Sequence, residues 1–235
     1  MQVCTIAPIK HLELDTGSMH MVIPQLLEIE PYYDYYANRT DYVILDNGAV
    51  EFGPMKHEEL IELAKEIGAD EIVMPDSLCD GLETFNLSFD FYCVLSRAER
   101  KKFKLMAVPQ GKDLVDFVNC YTRLKSLNPD VIGLNHWFDF TGDFRVLMQK
   151  RLDINLFNDF EVHLLGLTNA DELKRASPKV RSCDTSYAFK MASQNRAIGQ
   201  GNSNICKIQM DFGMELTEEQ LYIAEYNIKW LKNLP

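Results

Sequence analysis

The stretch DEIVMPDS, residues 70–77, sets three apolar residues between two acids and a proline, and leaves Asp76 just beyond them. An apolar run of that length, closed by a turn residue, reads as a short buried strand. The same plan recurs outward in both directions, in LDNGA at 45–49, AVPQG at 107–111, IGLNHW at 132–137, LLGL at 164–167 and RSCDTS at 181–186. Three of the six runs deliver an aspartate, Asp46, Asp76 and Asp184, and a fourth delivers Gln110. A parallel β/α barrel builds its active site from the C-terminal ends of successive strands, so this rhythm locates both a fold and a candidate site.

Between these runs the pattern turns helical. KHEELIELAKEIGA at 56–69 places Leu60, Ile61, Leu63 and Ala64 at helical spacing before Gly68. Helices are also expected over 82–100, 112–127 and 144–152, in TNADELKRA at 168–176 behind a Thr168 or Asn169 cap, and in TEEQLYIAEYNIKWLKNL at 217–234 capped by Thr217. Strands are expected at 3–7, 42–45, 71–74, 103–108, 130–134, 161–165, 180–183 and 205–210. Eight strands with intervening helices predict an α/β protein, a single (β/α)8 TIM barrel spanning 1–235. An open doubly wound sheet is the weaker reading, because neither a GxGxxG loop nor a P-loop is present. The polar, glycine-rich segment 193–204 fits a lid or a surface loop.

Composition narrows the chemistry. With 235 residues, 46% of them hydrophobic, one large core is expected. No apolar run approaches the roughly 20 residues that span a bilayer, and the first residues lack a signal-peptide pattern, so a cytoplasmic location without membrane association is expected. The six cysteines are scattered with no CxxC pair, which reads as small buried residues, with Cys183 singled out because it adjoins Asp184. A formal charge of -11 argues against indiscriminate coating of nucleic acid, yet Lys174 to Lys207 is a basic island in which Asp184 is the sole acid. A second basic cluster, Arg97 to Lys104, sits where a helix should end and suits its dipole.

Carboxylates converging at a barrel mouth can divide the roles of nucleophile, general base and ligand acceptor, and Gln110 adds an amide that donates and accepts. Gly133 would let a flat ligand approach the backbone of Leu134, and such a set suits a nucleobase edge. Each acid also has a local reading: Asp46 in DNG is a turn former, and Asp76 and Asp184 can cap the helices that follow. The tyrosines of PYYDYYANRT at 31–40 and Trp137 suit either base stacking or packing.

The series DNGAVE, DEIVMPDS, AVPQG, IGLN, HLLGLTNADEL and RSCDTS resembles the tRNA-guanine transglycosylase superfamily over roughly residues 41–189. Short members associated with phages and bacterial genomic islands, which insert 7-deazaguanine bases into DNA, look closest. Position by position, the resemblance implies that Asp184 is the nucleophile on the sugar C1′ and Asp46 its acid/base partner. It further implies that Asp76 and Gln110 bind the base edge, that Gly133 and Leu134 offer backbone contacts, and that Gly166 lines the pocket floor. The exchange it implies needs no cofactor: no nicotinamide, metal or ATP. Asn135, His136 and Trp137 depart from the small residues usual after the fifth strand and would reshape the base pocket. The zinc-binding CxCxxC segment of the transfer-RNA enzymes is also missing, with Cys206 standing alone. That departure weakens a transfer-RNA assignment and favours DNA, a smaller nucleic acid or a nucleotide, with DNA the expected partner, and is compatible with a second protein supplying nucleic-acid binding. Arg181, Lys190 and Arg196, flanking Asp184 in sequence, are the expected phosphate ligands. Two other functions use the same pocket, an N-glycosidase with water as acceptor and an inert barrel that binds a nucleobase or a partner protein.

Overall fold

The computed structural model describes residues 1–53, 55–135, 160–167, 173–174, 180–200 and 208–233. Eight strands run parallel in one sheet: β1 (Gln2–Thr5), β2 (Met19–Val22), β3 (Tyr42–Leu45), β4 (Glu71–Val73), β5 (Lys104–Ala107), β6 (Val131–Leu134), β7 (Glu161–Leu164) and β8 (Val180–Thr185). Their order is β1-β8-β7-β6-β5-β4-β3-β2, and the terminal members β1 and β2 lie against each other. The sheet is therefore a nearly closed barrel with helices between its strands, a (β/α)8 TIM barrel.

The number of strands agrees with the sequence reading, but one member differs. Met19–Val22 is a strand that the sequence reading passes over, and it holds the place assigned to 205–210. Because β8 pairs directly with β1, through Cys4 opposite Asp184, that edge is already occupied. Residues 208–210 carry no regular structure, and 201–207 lie outside the described residues. His20 hides β2: a histidine between methionines does not look apolar, yet it is fully buried. Its Nδ1 lies 2.6 Å from Asp15 Oδ2, and the same carboxyl accepts from Tyr36 Oη at 2.9 Å and Thr5 Oγ1 at 3.0 Å. A buried carboxylate is tolerated when hydrogen bonds fill its acceptor sites, as they do here.

Helices α1 (Glu30–Ala37), α2 (His57–Glu66), α3 (Gly81–Val94), α4 (Glu99–Lys102), α5 (Leu114–Leu124), α6 (Tyr187–Ala192) and α7 (Glu218–Lys232) cover the barrel. In α5 the buried residues Phe117, Cys120, Tyr121 and Leu124 form one apolar stripe, each contributing roughly 1.5–3 kcal/mol when fully buried. Tyr32 and Tyr36 of α1 are core residues, which assigns half of the tyrosine cluster to packing. Thr217 caps α7 as the sequence predicts, and Gln220 completes a reciprocal capping box with it. Below the barrel, Asp70 and Asp130 accept the N–H groups of Val43 and Leu105, satisfying strand starts at 2.8 and 2.9 Å. The helix expected at 144–152 and the Thr168 or Asn169 cap lie outside the described residues.

Candidate active site

A pocket of about 640 Å3, counting its open mouth, lies at the C-terminal ends of the strands. Its polar lining is Asp46, Asn47, Glu51, Asp76, Gln110, Asn135, Gly166 and Asp184, set among Ile6, Met21, Ile23, Val73, Val108 and Leu165. Six of the residues singled out in the sequence therefore meet in one cavity. Few convergent polar groups on an apolar wall is the usual make-up of a small-molecule site.

Asp76 is the acceptor at the centre of one wall. Asn47 Nδ2 donates to its Oδ1 at 2.6 Å, and Gln110 Nε2 donates to its Oδ2. Asn47 also donates to Met74 O at 2.9 Å and accepts from Ala49 N–H through Oδ1, so one amide ties the loop after β3 to the end of β4. Gly48 makes that loop possible, because its φ of 68° is left-handed and a Cβ there would stand 2.0 Å from Gln25 Oε1. Burial pushes the Asp76 carboxyl up from 3.8 to about 6, against the opposing pull of the two amides. Gln110 Oε1 in turn accepts Cys79 N–H at 3.3 Å, which fixes which end of the amide faces Asp76.

Asp184 is held from the neighbouring strand end. Gly166 N–H donates to Asp184 Oδ1 at 2.9 Å, and His163 Nε2 lies 3.2 Å from the same oxygen. Gly166 has φ 64°, so the pocket-floor glycine serves chiefly to turn a backbone N–H onto the carboxylate. His163 is completely buried on β7, and its Nδ1 lies 2.7 Å from Ser182 Oγ. The sequence reading misses His163, since one histidine inside the apolar run EVHLL resembles a core residue.

Asp46 and Glu51 complete the acid set. Burial is the main cause that raises the Asp46 carboxyl well above the usual range, followed by the charges of Glu51 and Asp184. Glu51, which is exposed at the mouth, is raised too, by the part of it turned from solvent and then by Asp184. Glu51 belongs to the motif DNGAVE, and its spacing of five from Asp46 around a tight turn is the signal that places it at the mouth.

Three expected residues stand away from the pocket. Gly133 and Leu134 do not line the pocket. A Cβ on Gly133 would meet Leu165 Cδ1 at 2.9 Å and Met106 Sδ at 3.0 Å, so the glycine leaves room for barrel packing, while Leu134 O accepts Leu165 N–H. Arg181 is not at the mouth. It is the extra residue of a bulge, since Val162 pairs with Val180 and His163 with Ser182. The bulge aims Arg181 across the barrel floor, where it meets Glu71 at 2.9 Å and Glu161 at 3.1 Å, the first residues of β4 and β7. Those contacts commit it to structure rather than to phosphate. Lys190 lies in α6, and Arg196 in the following turn, whose carbonyl accepts from Asn227 of α7. Asn227 also takes Ile198 N–H, so residues 196–198 of the glycine-rich segment are tied to α7. His136 and Trp137 lie outside the described residues.

Cys4, Cys120 and Cys183 are buried, in keeping with a packing role, and Cys79 and Cys93 are exposed. Among the described residues no group of three or more His, Cys, Asp or Glu is arranged to hold a metal ion, and no helix is long and apolar enough to cross a membrane. No protein-family model matches the chain, and no curated protein matches its sequence.

Proposed function

We propose that this barrel is a transglycosylase of the tRNA-guanine transglycosylase type that exchanges guanine in DNA for a 7-deazaguanine base. The observation that carries the reading is the meeting of Asp46, Asp76, Gln110 and Asp184 in one pocket, each at the end of a different strand. A barrel scaffold alone would not distinguish among chemistries, so the weight rests on these side chains.

Asp184, oriented through Oδ1, attacks C1′ of the target nucleotide with its other oxygen. The C1′–N bond breaks, its electron pair leaves with guanine, and Asp46 supplies the proton that the departing base needs. An incoming 7-deazaguanine then gives its ring N–H proton to Asp46 and attacks C1′, and the C1′–O bond breaks to return the Asp184 carboxylate. Dividing one displacement into two suits an anomeric centre, because each transition state carries positive charge beside carboxylates. Asp46 suits proton transfer because burial and its acidic neighbours favour its protonated form.

Asp76 accepts the N–H donors along the base edge, and the second amide hydrogen of Gln110 reaches the base carbonyl. With Arg181 on the floor, phosphate contacts fall to Lys190, Arg196 and the rest of the basic island. A base within a duplex must be extruded, or met in a single strand, to enter a pocket of this kind.

The test is incubation with single-stranded DNA carrying labelled guanine, and in parallel with labelled tRNA, with and without 7-deazaguanine. Label lost from DNA only when 7-deazaguanine is present, and retained with Asp184→Ala, is the expected result. Release of guanine without an acceptor would replace transfer by N-glycosidase chemistry, and retention of label throughout would leave a binding barrel.

A further inference from the structure

We propose that His163 is a positioning residue for Asp184, held in its Nε2–H form by Ser182 and Arg181 so that one carboxylate oxygen is occupied and the other is left for attack. The inference rests on the reading of Asp184 as nucleophile.

Donor inventory fixes the direction of every bond. Arg181 Nε can only donate, and it does so to Ser182 Oγ at 3.1 Å. The Ser182 hydroxyl hydrogen has one acceptor within reach among the described residues, His163 Nδ1 at 2.7 Å. Nδ1 is therefore the unprotonated ring nitrogen, and the ring hydrogen sits on Nε2, 3.2 Å from Asp184 Oδ1. Gly166 N–H meets the same oxygen, while among the described residues no donor bonds Oδ2. Two donors on Oδ1 fix the plane of the carboxylate and with it the direction in which Oδ2 points.

The far end of the chain is anchored as firmly. Arg181 is gripped by Glu71 through both terminal nitrogens, at 2.9 and 3.0 Å, and Tyr42 Oη donates to Glu71 Oε2 at 2.7 Å. A continuous polar line, Glu71 to Arg181 to Ser182 to His163 to Asp184, thus runs through the barrel interior from its floor to its mouth. Fully satisfied buried networks of this kind rigidify the groups they end on. A core histidine with a purely packing role would not require Ser182 and Asp184 on its two nitrogens.

The experiment pairs ring 15N NMR of the histidine-labelled full chain with turnover on the labelled single-stranded DNA and 7-deazaguanine. Expected in the wild type is a protonated Nε2 and unprotonated Nδ1 for His163, with the Nε2 signal displaced in Asp184→Ala. His163→Phe should lower kcat by about 100-fold, the scale of losing one preorganised donor, with KM for the base nearly unchanged. His163→Gln, whose amide can still donate to Asp184, should regain roughly tenfold of that loss, and Ser182→Ala should displace the Nδ1 signal by removing its donor while Asp184 keeps the ring hydrogen on Nε2. A folded His163→Gln protein keeps the test open if His163→Phe fails to fold. An Nδ1–H ring in an active wild type, or His163→Phe with unchanged kcat, overturns the positioning role. An inactive wild type with the Nε2–H ring, responsive to Asp184→Ala, overturns the function reading and leaves the hydrogen-bond assignment intact.

Discussion

Arg181 and Glu71 face each other across the floor of the barrel as a two-pronged ion pair, from strands four places apart in the sheet. Glu71 is fully buried, so this carboxylate depends on its partner for the solvation it has lost. Arg181→Ala is expected to destabilise the fold by roughly 3–5 kcal/mol, because the buried Glu71 carboxylate loses its counter-charge and keeps only the Tyr42 hydroxyl. Equilibrium urea unfolding checks this; a loss within the range of ordinary surface substitutions, about ±0.5 kcal/mol, would show that the pair does not hold the floor. The salt dependence of DNA binding separates this role from phosphate binding, since the slope should shrink in Lys190→Ala or Arg196→Ala and stay the same in Arg181→Met.

Asp76 makes stability and ligand binding respond to pH in opposite senses. Its carboxyl rises from 3.8 to about 6 on folding, so the folded chain binds that proton more tightly than the unfolded chain. The stabilisation from this group is complete below pH 3.8 and is lost as pH rises through about 6, a change on the order of 3 kcal/mol. Binding of a base whose N–H groups need the carboxylate runs the other way, weakening as pH falls below about 6. Guanine titrations and urea curves between pH 4 and 8 measure both trends; a stability that climbs over this interval in wild type but not in Asp76→Ala would reverse the sign.

The site was legible where a single residue carries the signal at the end of an apolar run, as with Asp46, Asp76, Gln110 and Asp184. It was not legible where the partner comes from a distant strand. His163 acquires its role from Ser182 and Asp184 on β8, and Glu51 from the way a left-handed Gly48 folds the loop after β3 back over the pocket. Arg181 shows the opposite error. It stands three residues before Asp184, and at about 3.3 Å per residue that spacing puts some 10 Å of strand between floor and mouth. Proximity in sequence therefore mistook a floor residue for a mouth residue. Met19–Val22 escaped because its polar member, His20, is solvated by Asp15 rather than by water.

Gly166 is required for its backbone rather than for its small size at the pocket floor. At φ 64° a Cβ adds steric cost of about 1–2 kcal/mol, and the relaxation that relieves it turns the N–H away from Asp184 Oδ1. Gly166→Ala should therefore lower kcat for exchange by at least about tenfold while the affinity for free guanine, set by Asp76 and Gln110, stays close to wild type. Calorimetric titration with guanine alongside turnover separates the two. Equal losses in both would mean that the glycine shapes the base pocket and does not serve Asp184.

Glu51 is the member of the acid set whose removal should move the pH response without removing a reacting group. Its charge is the largest electrostatic contribution holding the Asp46 carboxyl above the usual range, exceeded only by burial. In Glu51→Gln that repulsion is gone, so Asp46 gives up its proton at lower pH. The proton needed by the departing base is then lost earlier on the alkaline side, and the descending limb of the pH profile for kcat shifts toward acid. Asp46 also returns sooner to the carboxylate form that receives the proton of the incoming base, so the second step should gain on the first at a given pH. Rate profiles from pH 5 to 9 for wild type and Glu51→Gln, with single-turnover traces to separate the two steps, decide the matter. A limb that stays in place would mean that the proton is carried by a group other than Asp46, and a limb that moves toward alkali would reverse the electrostatic argument.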